Sequence, residues 1–447
     1  MKYRLSFSLA LLLMAAVLPL HAQKIVTLEE CRQQALEHNI NTRVAGQRTT
    51  MAKEQKREAF TKYFPTVSAA GFAYHPSKDI VKGDINTSDI IPASLASSLP
   101  TSISSIIPST LPVSLMRNGT VGSVSAVQPV FMGGRIVNGN KLAQVGVDAA
   151  EIQEELSGRQ VILTTDQYYW NVVKLKEKII TVKETQKMLA SLEKDVRTAV
   201  DAGVTLRNDL LQVQVKQNQA ESGLLELENA LKTSRRLLAQ YMGADSSEFD
   251  VAAIGPADSV SLPLEMRKEP ETAAMNTPES RLLEKNVESA VLSKKLEVGK
   301  YLPMVGVGVG YDYANLMDRG NNFGIVFATV AVPISGWWGG SHAIRRKKME
   351  EQIAREQLTD SRQLLSIQIA KTWDDAVVAW QKVGIAKKSV KQSRENLRLN
   401  NQFYHAGTGN MTDLLDAQRQ YQESRDQWVD AYAAYQLKIS EYREMTK

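Results

Sequence analysis

The order of signals between Thr27 and Gly203 recurs between Thr277 and Gly407, and no other feature limits the possible folds of this chain so severely. In the first round, a helix beginning at Thr27 runs into Tyr63-Phe64-Pro65 and an alternating stretch from Thr66 to Tyr74. A second alternating stretch, Val121 to Phe131, opens a long helical run that ends at Ala202-Gly203. In the second round, a helix from Thr277 leads to Tyr301-Leu302-Pro303, then to alternating stretches Met304 to Tyr313 and Phe323 to Ile334. A long helix follows and ends at Ala406-Gly407. Around the two glycines, Ala202-Gly203-Val204-Thr205-Leu206-Arg207-Asn208-Asp209-Leu210-Leu211 lies over Ala406-Gly407-Thr408-Gly409-Asn410-Met411-Thr412-Asp413-Leu414-Leu415. Ala, Gly, Asp, Leu and Leu coincide. A duplicated unit of short strands and very long helices is rare among soluble enzymes and suggests a tube.

The strands are read from their period. In Met304 to Tyr313, Val305, Val307, Val309, Tyr311 and Tyr313 share one face, while Gly306, Gly308, Gly310 and Asp312 share the other. Phe323, Ile325 and Phe327 alternate with Gly324 and Ala328 in the next stretch. The Gly-x-Gly-x-Gly here does not read as a nucleotide fingerprint, because no glycine-opened helix follows it. Aromatic residues mark the strand ends (Tyr63, Phe64, Tyr301, Trp337, Trp338), as interface girdles do, although core aromatics would give the same pattern. Beyond the first 22 residues no apolar run is long enough for a spanning helix. Transmembrane strands escape such a scan, because only alternate residues face lipid. Four strands would form an open sheet whose unpaired edges lipid forbids, and four are too few to close around a channel. Copies must therefore pool their strands, and a trimer would supply twelve.

The helices carry the rest of the length. No proline occurs between Pro129 and Pro256 or after Pro333. Arg135 to Asp201 is about 67 residues, or roughly 100 Å at 1.5 Å per residue, and Ser341 to His405 is nearly as long. Both carry coiled-coil spacing: Leu175, Ile179, Val182, Leu189, Leu192, Val196 and Ala199 in one, Ile369, Trp373, Ala376, Trp380, Val383, Val390 and Leu397 in the other. Each return helix is about half as long, and in the last one Tyr421, Trp428, Tyr435 and Tyr442 recur every seventh residue. The helices Thr42 to Lys62 and Pro278 to Lys300, stacked end to end with the short returns, would complete the second arm of each hairpin. Thr27-x-x-Glu30 reads as a capping box, and Thr277-Pro278 as N-cap and first helical residue. The Pro-, Ser- and acid-rich segment 243–276 then reads as an external belt, and Pro76 to Gly119 as a long loop between the first two strands.

The ends and the composition bound the class. Lys2 and Arg4 precede an apolar run from Leu5 to Leu20, and Leu20-His21-Ala22 resembles a cleavage site, so residues 1–22 read as a signal peptide. The expected organisation is 1–22 signal peptide, 23–242 first repeat, 243–276 linker and 277–447 second repeat. With 447 residues, 23% charged and 43% hydrophobic, the chain can bury a large core. A net charge of +5 is weak, and basic residues alternate with acids on helical faces, which argues against nucleic acid as a partner. Cys31 is the only cysteine, so no internal disulfide forms, and its expected role is packing. The five histidines (His21, His38, His75, His342, His405) lack metal-ligand spacing, and no hydrolase or phosphate-loop motif occurs. An enzyme is therefore not expected, and neither is a cofactor.

These residues together resemble the TolC family of outer-membrane efflux channels. The resemblance covers the mature chain. It rests on the opening Leu28-Glu29-Glu30-Cys31, both strand-entering prolines, Gln128-Pro129-Val130 with Val332-Pro333-Ile334, Gly133-Gly134 with Gly339-Gly340, and both Ala-Gly turns. It implies an α+β membrane protein: a trimeric 12-stranded transmembrane β-barrel, four strands per chain, continuous with a long α-helical coiled-coil barrel in the periplasm. It further implies that the lower tip docks on a periplasmic adaptor protein and an inner-membrane pump of the RND or ABC type. A periplasmic coiled-coil scaffold without a pore is the rival reading, and the alternating strands argue against it.

The candidate site is the pair of tips. Asp413 and Asp416 are three apart on a helix and so share a face. If that face lined a threefold tunnel, six carboxylates would ring its narrow end. Equally, acids at a helix start favour the macrodipole and cap free N–H groups. The resemblance matches Asp413 and Asp416 to the family's acidic constriction and Tyr404 to a tyrosine that holds the closed state, with Asp209 at the repeat-related position. It makes Ala202, Gly203, Val204, Thr205, Leu206, Ala406, Gly407, Thr408, Gly409 and Asn410 the adaptor-docking surface. One departure stands out: the arginine that familiar members carry two positions after the tip glycine is Gly409 here, which leaves Arg207 of the other tip as a substitute. His405 lies beside the turn, where the commoner role of a lone histidine is a solvated helix end.

Overall fold

The computed structural model describes residues 24–77, 81–91, 108–115, 119–245, 249–252, 254, 260–315 and 320–447; the signal segment 1–22 lies outside them. In chain order the elements are β1 (Lys24–Val26), α1 (Leu28–His38), α2 (Ile40–Thr61), β2 (Thr66–Tyr74), β3 (Val81–Asn86), α3 (Thr87–Ile90), β4 (Thr110–Leu115) and β5 (Gly119–Met132). There follow α4 (Arg135–Asp201), α5 (Arg207–Met242), β6 (Phe249–Val251), α6 (Pro270–Asn276) and α7 (Pro278–Gly299). The chain closes with β7 (Met304–Asn315), β8 (Gly320–Ala331), α8 (Gly336–His405) and α9 (Met411–Thr446). Among the described residues no helix is long and apolar enough to cross a membrane.

Chain segments up to Met51, Asp148–Asn286 and Arg355–Lys447 form a helical unit. Its first helix starts at the capping box: the Thr27 hydroxyl accepts from the Glu30 amide and the Glu30 carboxylate accepts from the Thr27 amide at 2.8 Å. This helix does not run on to the strand. It breaks at Asn39, whose ψ of 140° is extended. There the Asn39 side chain donates to Tyr241 O and accepts from the Asn41 amide, so the side chain caps the new helix. The heptad residues Ile179, Val182, Leu189, Leu192 and Val196 of α4 and Ile369, Trp373, Ala376 and Val383 of α8 are buried. Trp380 turns outward instead and donates its indole N–H to Val260 O at 3.0 Å.

Segment 243–276 is more than a belt. Val260, Leu262 and Met266 pack on a core formed by Ala376, Ala379 and Val383 of α8 with Tyr432, Tyr435 and Ile439 of α9. The Tyr435 hydroxyl donates to Ser261 O, and the Tyr442 hydroxyl accepts from the Lys268 amide, each at 2.8 Å. The three-residue strand β6 pairs in parallel with β1, an element too short to show a period. Phe249 and Val251 of that pair are buried with Cys31, Ala35 and Met242. Burial, followed by the charges of Glu30 and Asp166, pushes the Cys31 thiol up to about 12. Such a thiol stays protonated and packs.

Residues 52–147 and 287–354 form the second unit. Its sheet runs β2-β5-β7-β8, antiparallel throughout. The register places Val67 and Ala69 of β2, Val124 and Ala126 of β5, Val307, Val309 and Tyr311 of β7, and Val326 and Val330 of β8 on one face. That face is apolar from edge to edge and exposed at Val67, Val124, Val309, Tyr311, Val326 and Val330. The opposite face explains the glycines. Gly306, Gly308 and Gly310 stand directly across from Thr329, Phe327 and Ile325, and a Cβ at Gly308 would lie 2.5 Å from the Phe327 ring. The glycine row is thus a trough roofed by its neighbour's large side chains.

Several boundaries differ from the period-two reading. β8 starts and ends three residues before the Phe323–Ile334 stretch, because Pro333 has no N–H to give a ladder and the Ile334 amide turns back onto Val332 O at 3.0 Å. A register shift between Pro129 and Phe131 marks the corresponding irregularity in β5. Within the Pro76–Gly119 stretch β3 pairs antiparallel with β4, and α3 follows directly on β3, between the two strands; residues 78–80, 92–107 and 116–118 lie outside the described residues. The two Gly-Gly pairs are also unlike each other. Gly133 and Gly134 turn the chain at φ 63° and 74°. Gly339 and Gly340 lie inside α8, which begins at Gly336 and not at Ser341, and Gly340 lets the Tyr301 ring pack against the helix.

Candidate functional site at the helix tips

Both hairpin tips belong to the helical unit and are closed by the same backbone device. At the first, the Gly203 amide donates to Val200 O at 2.9 Å and the Val204 amide to Ala199 O at 2.8 Å. At the second, the Gly407 amide donates to Tyr404 O and the Thr408 amide to Phe403 O, both at 3.0 Å. These are Schellman closures, and each glycine sits at φ 72°. Neither has a neighbour that an added Cβ would touch, so the demand for glycine is purely one of backbone. Gly407→Val is expected to cost about 1–2 kcal/mol in chemical unfolding, with Gly407→Asn costing much less. Equal losses for the two variants would mean that space, and not φ, selects glycine.

Past the turns the tips diverge. Leu206 offers α5 no side-chain cap, and the Thr205 hydroxyl donates instead to Asp209 Oδ2 at 2.6 Å. Asn410 does cap α9: its side-chain oxygen accepts from the Asp413 amide at 2.8 Å. Gly409 is pressed on the chain before the turn, where a Cβ would come within 3.0 Å of Phe403 Cβ, and its amide also donates to Phe403 O. A side chain at this position would require Phe403 and Tyr404 to give way by a few tenths of an ångström. Arg207 is exposed and carries no ion pair among the described residues.

The sequence-predicted residues fall into two groups. Asp413 and Asp416 share the exposed face of α9, while Met411, Leu414, Leu415 and Ala417 are buried on the other side. Asp416 is not a bare carboxylate: Arg419 donates to it from Nη2 at 2.7 Å and Gln420 from Nε2 at 2.7 Å. These donors, Arg419 first, hold its carboxyl below the usual range. The acid-base spacing of three was the available signal for Arg419. Tyr404, by contrast, faces the first tip. It packs on the buried cluster of Leu189, Leu192, Val196, Val213 and Leu414. Burial, then the charge of Asp209, pushes its phenol up, opposed by a hydrogen bond with Thr205. Tyr404 and Asp209 are thereby brought together across the two hairpins, apart from the acidic face of α9. His405 ends α8 with its ring 5.9 Å from that of Tyr404. Between α5 and α9 lies an open groove of about 370 Å³ lined by Leu211, Val215, Lys216, Leu415, Asp416 and Arg419.

Strands paired β2-β5-β7-β8 with two long helical hairpins define the architecture of outer-membrane channel proteins. The chain belongs to the outer membrane efflux protein family, whose profile matches residues 31–244 and 273–442. Among solved structures it is similar to the outer membrane protein VceC from Vibrio cholerae, with 14% identity over 94% of this chain and 96% of that one, at a TM-score of 0.71. It is also similar to the Campylobacter jejuni CmeC outer membrane channel (13% identity, 94% and 85% covered, TM-score 0.73). The open state of the Neisseria gonorrhoeae MtrE outer membrane channel matches at 15% identity, 94% and 88% covered, with a TM-score of 0.70. No curated protein matches by sequence. Likenesses at this identity are likenesses of fold.

Proposed function

We propose that three copies of this chain pool their strands into one twelve-stranded barrel and form a passive, gated export duct from the periplasm to the exterior. The observation that carries the reading is the sheet. Its one face is apolar across all four strands, and its edge strands β2 and β8 have no further partner among the described residues. In water such a face would be a large exposed patch, and in lipid the edges would have to close. A coiled-coil scaffold needs neither. Exposed aromatic residues at the strand bases (Phe64, Trp337, Trp338) fit an interfacial girdle. The repeat boundaries 23–242 and 277–447, with 243–276 as linker, belong to this proposal.

Asp413 and Asp416 form the acidic constriction in this reading, with Tyr404 and Asp209 holding the two hairpins together. Ala202 to Leu206 and Ala406 to Asn410 are the surface for a periplasmic adaptor that links the duct to an inner-membrane pump of the RND or ABC type. The test is conductance of the purified mature protein in a planar bilayer. The expected result is a small, cation-selective conductance blocked by divalent ions, with both properties relieved several-fold by Asp413→Ala/Asp416→Ala. A pore indifferent to that substitution would leave the two aspartates as helix-end residues, and inserted protein without conductance would favour the scaffold.

A further inference from the structure

The seam between α4 and α9 contains a carboxyl group that the tip does not use. Around it the seam is stitched by Lys178 to Asp430 at 2.8 Å, by the ion pair of Arg425 with Glu184, and by Gln418 donating to Thr185 at 2.8 Å. Asp426 stands among these contacts, and its Oδ1 is buried with no hydrogen-bond partner among the described residues. The charged groups acting on it are Lys178 from α4 and Arg425, Asp430 and Glu423 from α9 itself. From α8, Arg394 reaches this stretch of α9 at the Tyr421 hydroxyl, 3.3 Å away. On the α4 side Glu177 is buried too, but it is occupied by the Ile254 amide at 2.8 Å. A buried carboxylate oxygen with nothing to accept from is costly when charged and cheap when neutral.

We propose that Asp426 is a proton-binding site that latches α9 onto α4: its carboxyl holds a proton while the seam is closed and releases it to solvent when the seam parts. Burial is the main force, opposed by Lys178, and it raises the carboxyl to about 6. In open water an aspartate loses its proton near 4. The closed seam therefore binds the proton more tightly than the parted seam, so this contribution to closure is full below about 4 and is lost as pH rises through about 6. Since α9 also carries Asp413 and Asp416, the mobility of the acidic tip becomes tied to pH by a group some three turns away. The inference concerns the seam alone and stands whether or not the chain conducts.

The test uses the full-length protein in detergent or lipid, with Asp426→Asn as the nearly isosteric, permanently neutral variant. Carboxyl-region difference infrared spectra should show one group titrating near pH 6 in the wild type and missing from the variant. Amide hydrogen exchange along α9 is then compared between the two proteins at the same pH, so that intrinsic exchange chemistry cancels. The wild-type-to-variant ratio of opening should rise about tenfold between pH 5 and pH 7. A ratio that does not change with pH, or an Asp426 carboxyl titrating near 4, overturns the latch. Should the variant not fold, Lys178→Gln decides: loss of the cross-seam cation must move the wild-type titration to higher pH, and an unmoved titration rejects the assignment.

Discussion

Asp166→Ala is expected to lower the stability of the folded chain by about 3–5 kcal/mol, the cost of stranding a buried charge. Asp166 of α4 has no solvent exposure, and it receives Arg32 of α1 in a two-pronged contact, Nε to Oδ1 at 2.8 Å and Nη2 to Oδ2 at 2.7 Å. Ser440 of α9 completes the site, its hydroxyl bonded to both partners. Three helices remote in sequence thus meet at one guanidinium, which Asp166 holds firmly in its charged form. Alanine leaves that cation buried with only Glu29 and a serine beside it. Replacing both members, Arg32→Met with Asp166→Leu, should recover most of the loss, since no charge is then left unpaired. Equilibrium unfolding followed by helical circular dichroism measures both. A single-variant loss under about 1 kcal/mol would mean that water reaches the pair.

Gly308→Leu is expected to prevent the sheet from forming. A Cβ at this position meets the Phe327 ring at 2.5 Å and, from the other side, the Ala126 carbonyl oxygen of β5 at 3.1 Å. The ring can rotate away; the carbonyl is part of the β5 ladder and cannot. Overpacking of a filled site costs about 1–3 kcal/mol before the backbone is forced to move, and here both neighbouring strands would have to shift. The readout is the yield of folded, membrane-inserted protein. Gly122→Ala serves as the control, because nothing lies within 4 Å of a Cβ there. Gly308→Ala combined with Phe327→Ala should recover part of the yield. Normal folding of Gly308→Leu would show that β8 does not lie over the glycines.

What the sequence disclosed follows from what has a period. The 67 residues of α4 and the capping box at Thr27 were legible because proline was absent and Thr-x-x-Glu is a local device. Val305, Val307, Val309, Tyr311 and Tyr313 could be placed on one face of a strand because they alternate with period two. The meaning of Gly306-x-Gly308-x-Gly310 was not legible, because it lies in the strand beside them, and register is a property of the pair. The three-residue strands β1 and β6 are shorter than any period. The break at Asn39 depends on Tyr241, some 200 residues away in sequence. At the tips, the Ala-Gly turns and the shared face of Asp413 and Asp416 could be read from spacing. The bond network of Asp416 with Arg419 and Gln420, and the approach of Tyr404 to the Thr205–Asp209 pair, required the helices to be packed.

The Schellman closures at Gly203 and Gly407 have a consequence for how such a chain can change over time. Each turn is shaped by amide-to-carbonyl bonds and one glycine, so most side chains at its apex have no architectural duty. Val204 and Leu206, 80% and 73% exposed, contribute little to the stability of the hairpin that displays them. Mutations at these positions are therefore nearly invisible to folding, and under the proposed docking role they would be fully visible to the adaptor. A lineage could retune its partner by drift at the apex while the frame stays under strict selection. Thr205 and Asn410, bound to Asp209 and the α9 N-terminus, would be the slow-changing exceptions.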